Sequence, residues 1–158
     1  METKATLRVC LIFLSAICLT LIILRFSPRR VMKSGGCGPR ALHAAALAFG
    51  KTLTEQQTLD LFPNHGFEVS IGEMEKAASK LGLKAKSRQM TLDELEREKP
   101  IGVLHIDDVH FVAVVGYEGD AIRVADSLYE GETQPVRWLI DDLKTRWDGG
   151  ILVVSAEP

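Results

Sequence analysis

The sequence predicts an α+β domain in which helices come first and an antiparallel sheet follows. From Cys37 to about Gly82, helix-start signals precede apolar residues at helical spacing, and from Ile101 onward short apolar runs alternate with turn residues. An uncharged apolar stretch precedes this region and predicts one transmembrane helix. We therefore divide the 158 residues into a membrane anchor with a basic flank, 1–30, and a folded domain, 31–158.

The predicted anchor is residues 9–24, an uncharged segment between Arg8 and Arg25. At about 1.5 Å per residue it covers roughly 24 Å of a hydrocarbon core about 30 Å thick, so it needs its flanks to cross. A cleaved signal peptide is the main alternative, but no small-x-small cleavage site follows. We predict an uncleaved single-pass anchor in the cell membrane that contacts lipid through 9–24. Two basic residues precede it and four follow it closely, which favours a cytoplasmic domain.

Charge and cysteine content exclude several classes of protein. Residues 1–30 carry five basic residues and one acidic residue, a balance of +4, so the formal net charge of −2 leaves −6 on residues 31–158. A domain this acidic is a poor nucleic-acid binder, and we expect no nucleic-acid partner. Two of the three cysteines lie in the apolar segment, which leaves Cys37 alone in the domain. No disulfide framework, Cys-x-x-Cys metal pair or cofactor is therefore expected.

Helix N-termini are predicted at Thr54, Ser70 and Thr91, because each is followed three residues later by Gln or Glu, the pattern of a capping box. The first of these helices must stop before Pro63, and the second ends by Gly82. Between the second and third helices, apolar and basic residues alternate as in an edge strand. This strand is predicted over residues 83–89.

The second half of the domain contains a predicted β-hairpin, because two apolar runs are separated by the turn residues Asp107-Asp108. The second run is apolar on both faces, so it should be a central, buried strand, with His110 at its entrance. The next strand should end at Asp126. The predicted strands are 101–106, 109–117, 121–126 and 151–155, and residues 138–147 are predicted as a helix or helical turns.

Cys37 lies between glycines at the start of a predicted helix that ends near Gly50, and Pro39 suits its first turn. Unsatisfied N–H groups and the positive end of the helix dipole favour a thiolate at that position. A single cysteine near a helix start is more often a small core residue. The rest of the chain is what favours a catalytic role.

The order of Cys37, His110 and Asp126, with the cysteine on a helix and the other two on adjacent strands, is typical of a cysteine peptidase site. Cysteine attacks an acyl carbon, histidine accepts and returns the proton, and the carboxylate orients the imidazole. A metal site built from the same three residues is a less favoured alternative. His105, one strand earlier, is an alternative base, although a structural strand histidine is the favoured interpretation.

Over residues 34–155 the chain resembles the bacteriocin-processing, double-glycine family of papain-like cysteine peptidases. The matching segments, in chain order, are Cys37-Gly38-Pro39, residues 70–83, Lys99-Pro100-Ile101, residues 110–114, Val124-Ala125-Asp126 and residues 147–150. The resemblance implies a papain-like fold and a peptide or precursor substrate cleaved after Gly-Gly. It also implies Cys37 as nucleophile, His110 as general base and Asp126 as the residue that orients it, with no cofactor.

One departure from the family concerns the oxyanion. The family usually has a glutamine a few residues before the cysteine, and residues 30–36 contain none. Loss of one oxyanion donor typically costs about 10²–10³ in rate. This motivates a second hypothesis, a peptide-binding module of the same fold with weak or no turnover. A cysteine amidase or acyl transferase is a third. Relatives often carry ATP-binding transporter modules, but this sequence has no phosphate-binding loop, so an exporter would be a separate chain.

The remaining candidates are assigned structural roles. Gly35-Gly36 invites a self-cleavage idea, but we expect these glycines to shape the loop before Cys37. The others are His43 in a helix, His65 in a loop, Asp107 and Asp108 in a turn, and Trp138 and Trp147 in the core or lining a groove.

Overall fold

The structure is a computed structural model that describes residues 36–63, 69–126 and 134–157. The helices are α1 (Cys37–Ala48), α2 (Glu55–Leu59), α3 (Ile71–Lys80), α4 (Leu92–Glu98) and a 3₁₀ helix (Ile140–Thr145). The strands are β1 (Leu83–Gln89), β2 (Gly102–Ile106), β3 (His110–Glu118), β4 (Ala121–Ala125), β5 (Val136–Leu139) and β6 (Trp147–Ala156). The α+β prediction is confirmed, with α1 to α3 preceding every strand.

All three predicted capping boxes are present. At the starts of α2, α3 and α4, the side chains of Thr54, Ser70 and Thr91 each accept a hydrogen bond from the backbone N–H three residues later. In each case the Gln or Glu at that later position accepts one from the backbone N–H of the capping residue. These reciprocal bonds satisfy N–H groups that a helix start otherwise leaves without a partner.

The six strands of the described chain form one antiparallel sheet in the order β1-β6-β2-β3-β4-β5. β1 lies at an edge and β3 in the interior, as predicted. The β2–β3 hairpin is also confirmed, with Ile106 opposite His110. Its turn residues Asp107 and Asp108 have left-handed backbones, with φ of 51° and 59°. Aspartate is one of the few residues other than glycine that tolerates this conformation.

The prediction near residues 138–147 is wrong at its start. Trp138 belongs to β5 and is paired with Ile122 of β4, and only from Ile140 does a 3₁₀ helix follow. Residues 136–139 form a strand because they pair with β4, and this pairing outweighs a local preference for helix. The last strand, β6, begins at Trp147 rather than Ile151. Asp148, Gly149 and Gly150 are residue types typical of a turn, but in the structure they belong to this strand. This long strand lies between β1 and β2.

Each face of the sheet carries a hydrophobic core. One core lies beneath α1 and α3, and its buried residues include Leu42, Ala45, Met74, Ala78, Val103, Ala113 and Leu152. The other lies beneath α4 and the 3₁₀ helix, and includes Leu95, Leu104, Ile106, Val112, Val114, Ile122 and Leu143. Because α1 packs on β3, the start of that helix lies close to the start of the strand.

No helix within the described ranges is long and apolar enough to cross a membrane. Several predictions concern residues outside the described ranges. They are the anchor at 9–24, the boundary between residues 30 and 31, and the loop 31–35, which lacks the family's glutamine. His65 lies outside them as well.

Candidate active site

Cys37 is the first residue of α1, and its thiol is free. Gly36 is the N-cap residue and has no side chain with which to cap the first turn, so N–H groups at the positive end of α1 surround the cysteine. Because Gly38 has no side chain, the first turn of α1 can lie close to Met74 in α3 and Phe111 in β3. A Cβ atom there would lie 3.3 Å from the Met74 sulfur and 3.5 Å from the Phe111 ring.

The sulfur of Cys37 accepts a hydrogen bond from the backbone N–H of Phe111 in β3, with a nitrogen–sulfur distance of 3.4 Å. The side chain of His110, the residue just before Phe111, also interacts with this sulfur. One short segment of β3 therefore supplies both contacts. Both favour negative charge on the sulfur.

His110 is the first residue of β3, and its Nε2 lies 2.8 Å from Oδ1 of Asp126. Asp126 directly follows the last residue of β4. The side chains of His110 and Asp126 are only 9% and 6% exposed, so this contact is largely shielded from water. Because Asp126 occupies Nε2, the nitrogen left to face Cys37 is Nδ1.

The pKa values of Cys37 and His110 move in opposite directions. Burial alone would raise the pKa of the thiol, but the hydrogen bonds from His110 and the Phe111 N–H, together with the positive charge of His110, lower it. Burial would lower the pKa of His110, yet its hydrogen bonds to Asp126 and Cys37 raise that pKa to about 9. Both shifts move the pair toward a thiolate beside an imidazolium.

The structure thus brings together all three residues that the sequence analysis selected, Cys37, His110 and Asp126. Their chemical roles stay predictions. Sequence reasoning missed the Phe111 N–H, because a backbone donor leaves no signal in the residue types. Within the described ranges, no group of three His, Cys, Asp or Glu side chains is arranged to hold a metal ion.

The other histidines of the described chain lie elsewhere. His43 in α1 has Nδ1 3.0 Å from the hydroxyl oxygen of the buried Thr58, and burial lowers its pKa while Glu55 raises it. His105 lies in β2, directly opposite Phe111, with the two ring centroids 4.9 Å apart. His105 therefore contacts a neighbour of the site.

The indole N–H of Trp147 donates to the carbonyl of Gly150 at 2.7 Å.

Several solved structures share this fold at low sequence identity. A double-glycine-motif protease from an AMS/PCAT transporter, in complex with a leader peptide, is 20% identical, with a TM-score of 0.63 over 84% of this chain and 96% of that one. The peptidase domain of Streptococcus ComA, a bifunctional ABC transporter of a quorum-sensing pathway, is 16% identical, with a TM-score of 0.64 over 80% and 95%. The N-terminal peptidase C39-like domain of a toxin secretion ATP-binding protein from Vibrio parahaemolyticus is also 16% identical, with a TM-score of 0.62 over 80% and 99%.

At these identities the solved structures establish the fold alone, and no curated protein matches the sequence. The family itself is established by the sequence model of the Peptidase C39 family, which matches residues 26–158. That match includes Cys37, His110 and Asp126 and confirms the resemblance noted in the sequence. The chain belongs to the Peptidase C39 family.

Proposed function

We propose that the protein is a membrane-anchored cysteine endopeptidase that cleaves peptides or precursor proteins after Gly-Gly. The observation that carries this proposal is the contact of Cys37 with His110, which in turn contacts the buried Asp126. Family membership supports peptide hydrolysis. The complex of one structural relative with a leader peptide supports a peptide as substrate.

In the proposed reaction, the thiolate of Cys37 attacks the carbonyl carbon of the scissile bond and forms a tetrahedral intermediate. The imidazolium of His110 then gives its proton to the leaving amine as the C–N bond breaks, which leaves an acyl-enzyme. Water, deprotonated by His110, attacks the thioester, and Cys37 leaves as the thiolate. Asp126 holds the imidazole and stabilises its positive charge throughout. The N–H of Cys37 is one donor for the oxyanion.

The test is cleavage of a synthetic peptide with one internal Gly-Gly by the full chain in detergent micelles, followed by mass spectrometry. We expect two products, an N-terminal fragment that ends in Gly-Gly and the remaining C-terminal fragment, and no product with Cys37→Ser. A peptide in which both glycines are replaced by alanine is the matched substrate control. If it is cut equally well, the specificity for Gly-Gly is wrong. If neither peptide is cut, the endopeptidase proposal fails.

A second candidate function is a peptide-binding module with little turnover, and the absence of glutamine from residues 30–36 favours it. Tight binding of the Gly-Gly peptide by wild-type protein, without product and without a Cys37 adduct, would support this candidate. An acyl transferase is instead indicated if Cys37 forms an acyl adduct that passes to an amine rather than to water. An amidase is indicated if water takes the acyl group of a non-peptide amide while the Gly-Gly peptide stays intact.

The membrane location rests on residues 9–24 and the basic residues that follow. The proposal places the domain on the cytoplasmic side, where an exporter encoded as a separate chain could receive the product. Extraction at alkaline pH should leave the full chain in the membrane pellet, and protease added to intact cells should not reach the domain. Release of the chain into the supernatant would contradict the anchor.

A further inference from the structure

The turn just before His110 is held by a contact that the catalytic assignment does not use. Asp107 and Asp108 both have positive φ, so the turn needs a specific and uncommon backbone conformation. Val109, which is 80% exposed, is the one residue between this turn and His110. Any shift of the turn is therefore transmitted through a single residue to the imidazole.

Arg146 fixes the turn through both backbone and side chain. Its carbonyl accepts a hydrogen bond from the N–H of Asp107 at 2.7 Å. Its guanidinium lies across the Asp107 carboxylate, with Nη2 at 2.6 Å from Oδ2 and Nε at 3.1 Å from both oxygens. A fork of this kind fixes direction as well as distance, which a single ammonium group does not.

Arg146 is itself held in place by its neighbours. The ring of Trp138 in β5 lies 4.7 Å from the guanidinium carbon, which is cation–π geometry. The next residue, Trp147, is paired with Ile106 at the end of β2. The turn is thus connected to β5 and β6, two strands that contribute no residue to the Cys37 site.

We propose that Arg146 and Asp107 are positioning residues, which hold the β2–β3 turn so that His110 stays in contact with Cys37 and Asp126. This inference rests on the proposed function. The pair is partly exposed, with 38% and 42% of the two side chains accessible, and exposed ion pairs stabilise proteins little. Its loss should consequently affect the reaction far more than folding.

The charged and titratable groups near His110 come from three elements. They are Cys37 from α1, Asp126 from the end of β4 and Asp107 from the turn, whose carboxylate interacts with His110 and is paired with Arg146. The pKa of Asp107 is held below its usual range, first by its hydrogen bond to Arg146. Arg146 therefore offsets the negative charge of Asp107 near the imidazole.

The test is the rate of Cys37 alkylation by iodoacetamide at pH 6.5 in the full chain, because this rate reports the thiolate without a peptide substrate. Arg146→Gln and Asp107→Asn should each lower it about tenfold, since a displacement of about 1 Å at a reacting group can cost on the order of 100-fold. Asparagine is chosen because it tolerates positive φ. Arg146→Lys, which keeps the charge but not the fork, should restore only part of the rate.

Arg137→Gln is the matched control, because Arg137 also pairs with an exposed aspartate, Asp120, at 2.9 Å but away from the turn. It should react like the wild type. The double variant of Asp107 and Arg146 should react no more slowly than either single one, and all variants should melt close to the wild type. If the single variants also alkylate at the wild-type rate, or if they slow only in proportion to lost folding, the positioning role is wrong.

His110→Ala in the same series separates the two proposals. A slow wild-type thiol that is indifferent to His110→Ala overturns the proposed function and the positioning role with it. A fast wild-type thiol that needs His110 but not Arg146 or Asp107 overturns the positioning role alone.

Discussion

The charge of Cys37 depends on groups that lie far apart in the chain. His110 lies 73 positions later and Asp126 a further 16, yet each lowers the free energy of the thiolate, the first directly and the second by keeping the imidazole protonated. Burial works against both charges. The thiolate–imidazolium pair is favoured because several hydrogen bonds together outweigh the cost of burial. Removing one hydrogen-bond partner should therefore shift the pKa values of both Cys37 and His110.

Asp126→Asn tests this coupling. The amide carries no negative charge, so the pKa of His110 should fall from about 9 toward its ordinary value. The imidazolium, now present below about pH 9, would be lost at lower pH, and the pKa of Cys37 would rise because its cationic partner is weaker. We therefore expect slower alkylation at pH 6 and an alkaline limit of peptide cleavage that moves to lower pH.

The measurement is the pH profile of alkylation and of kcat/KM in wild type and Asp126→Asn. Asp148→Asn is a suitable control, because Asp148 is an exposed residue of β6. Profiles that coincide for wild type and Asp126→Asn would show that the carboxylate does not set the protonation of His110.

At the scale of elements, the helices were the easiest part to predict. The signals at Thr54, Ser70 and Thr91 are local, because each capping box joins residues three positions apart. The position of β6 between β1 and β2 has no such signal, since strand pairing depends on residues far apart in sequence. β5 was missed because Trp138 is in a strand only through its pairing with β4.

The candidate site likewise contains groups that the sequence predicts and groups that it does not. Cys37, His110 and Asp126 could be selected from the sequence because their residue types and order are informative, and the structure places them together. The Phe111 N–H and the contact of Arg146 with Asp107 were not found, because one is a backbone group and the other joins surface residues 39 positions apart. Such contacts become visible only when the strands are placed.

Two glycines test how tightly the elements pack. A Cβ atom on Gly102 of β2 would lie 2.3 Å from the carbonyl oxygen of Leu152 in β6, so one strand must move. Gly102→Ala should lower the free energy of unfolding by about 1–3 kcal/mol or more. Gly72 in α3 has no neighbour within 4 Å of such an atom, and Gly72→Ala should raise it by up to about 1 kcal/mol.

Urea unfolding of the full chain, monitored by tryptophan fluorescence, measures both changes. Opposite signs for the two variants are the expected result. A neutral Gly102→Ala would mean that β2 and β6 are farther apart than the structure shows.

At the scale of the whole molecule, the main feature is that charge is unevenly distributed along the sequence. Residues 31–158 carry a formal charge of −6 beside a basic N-terminal segment of +4. A negatively charged domain attracts cationic peptides and raises their local concentration. This effect belongs to the sum of many exposed carboxylates, so no single substitution should remove it.

Salt should therefore raise KM for a Gly-Gly peptide that carries lysines. Screening shortens the range of electrostatic attraction from about 10 Å at 0.1 M ionic strength to about 3 Å at 1 M. The measurement is KM across that range for a lysine-containing peptide and for one with glutamine at the same positions. Equal salt dependence for the two peptides would show that long-range charge has no part in substrate capture.

The central place of β6 has a consequence for synthesis. Because residues 147–156 lie between β1 and β2, the nascent chain holds one isolated strand and a separate group of four until β6 has left the ribosome. Folding then requires contacts between residues far apart in sequence, which are slow to form. Everything before β6 is translated earlier, so β1 can join the other strands in one sheet only after β6 has been made.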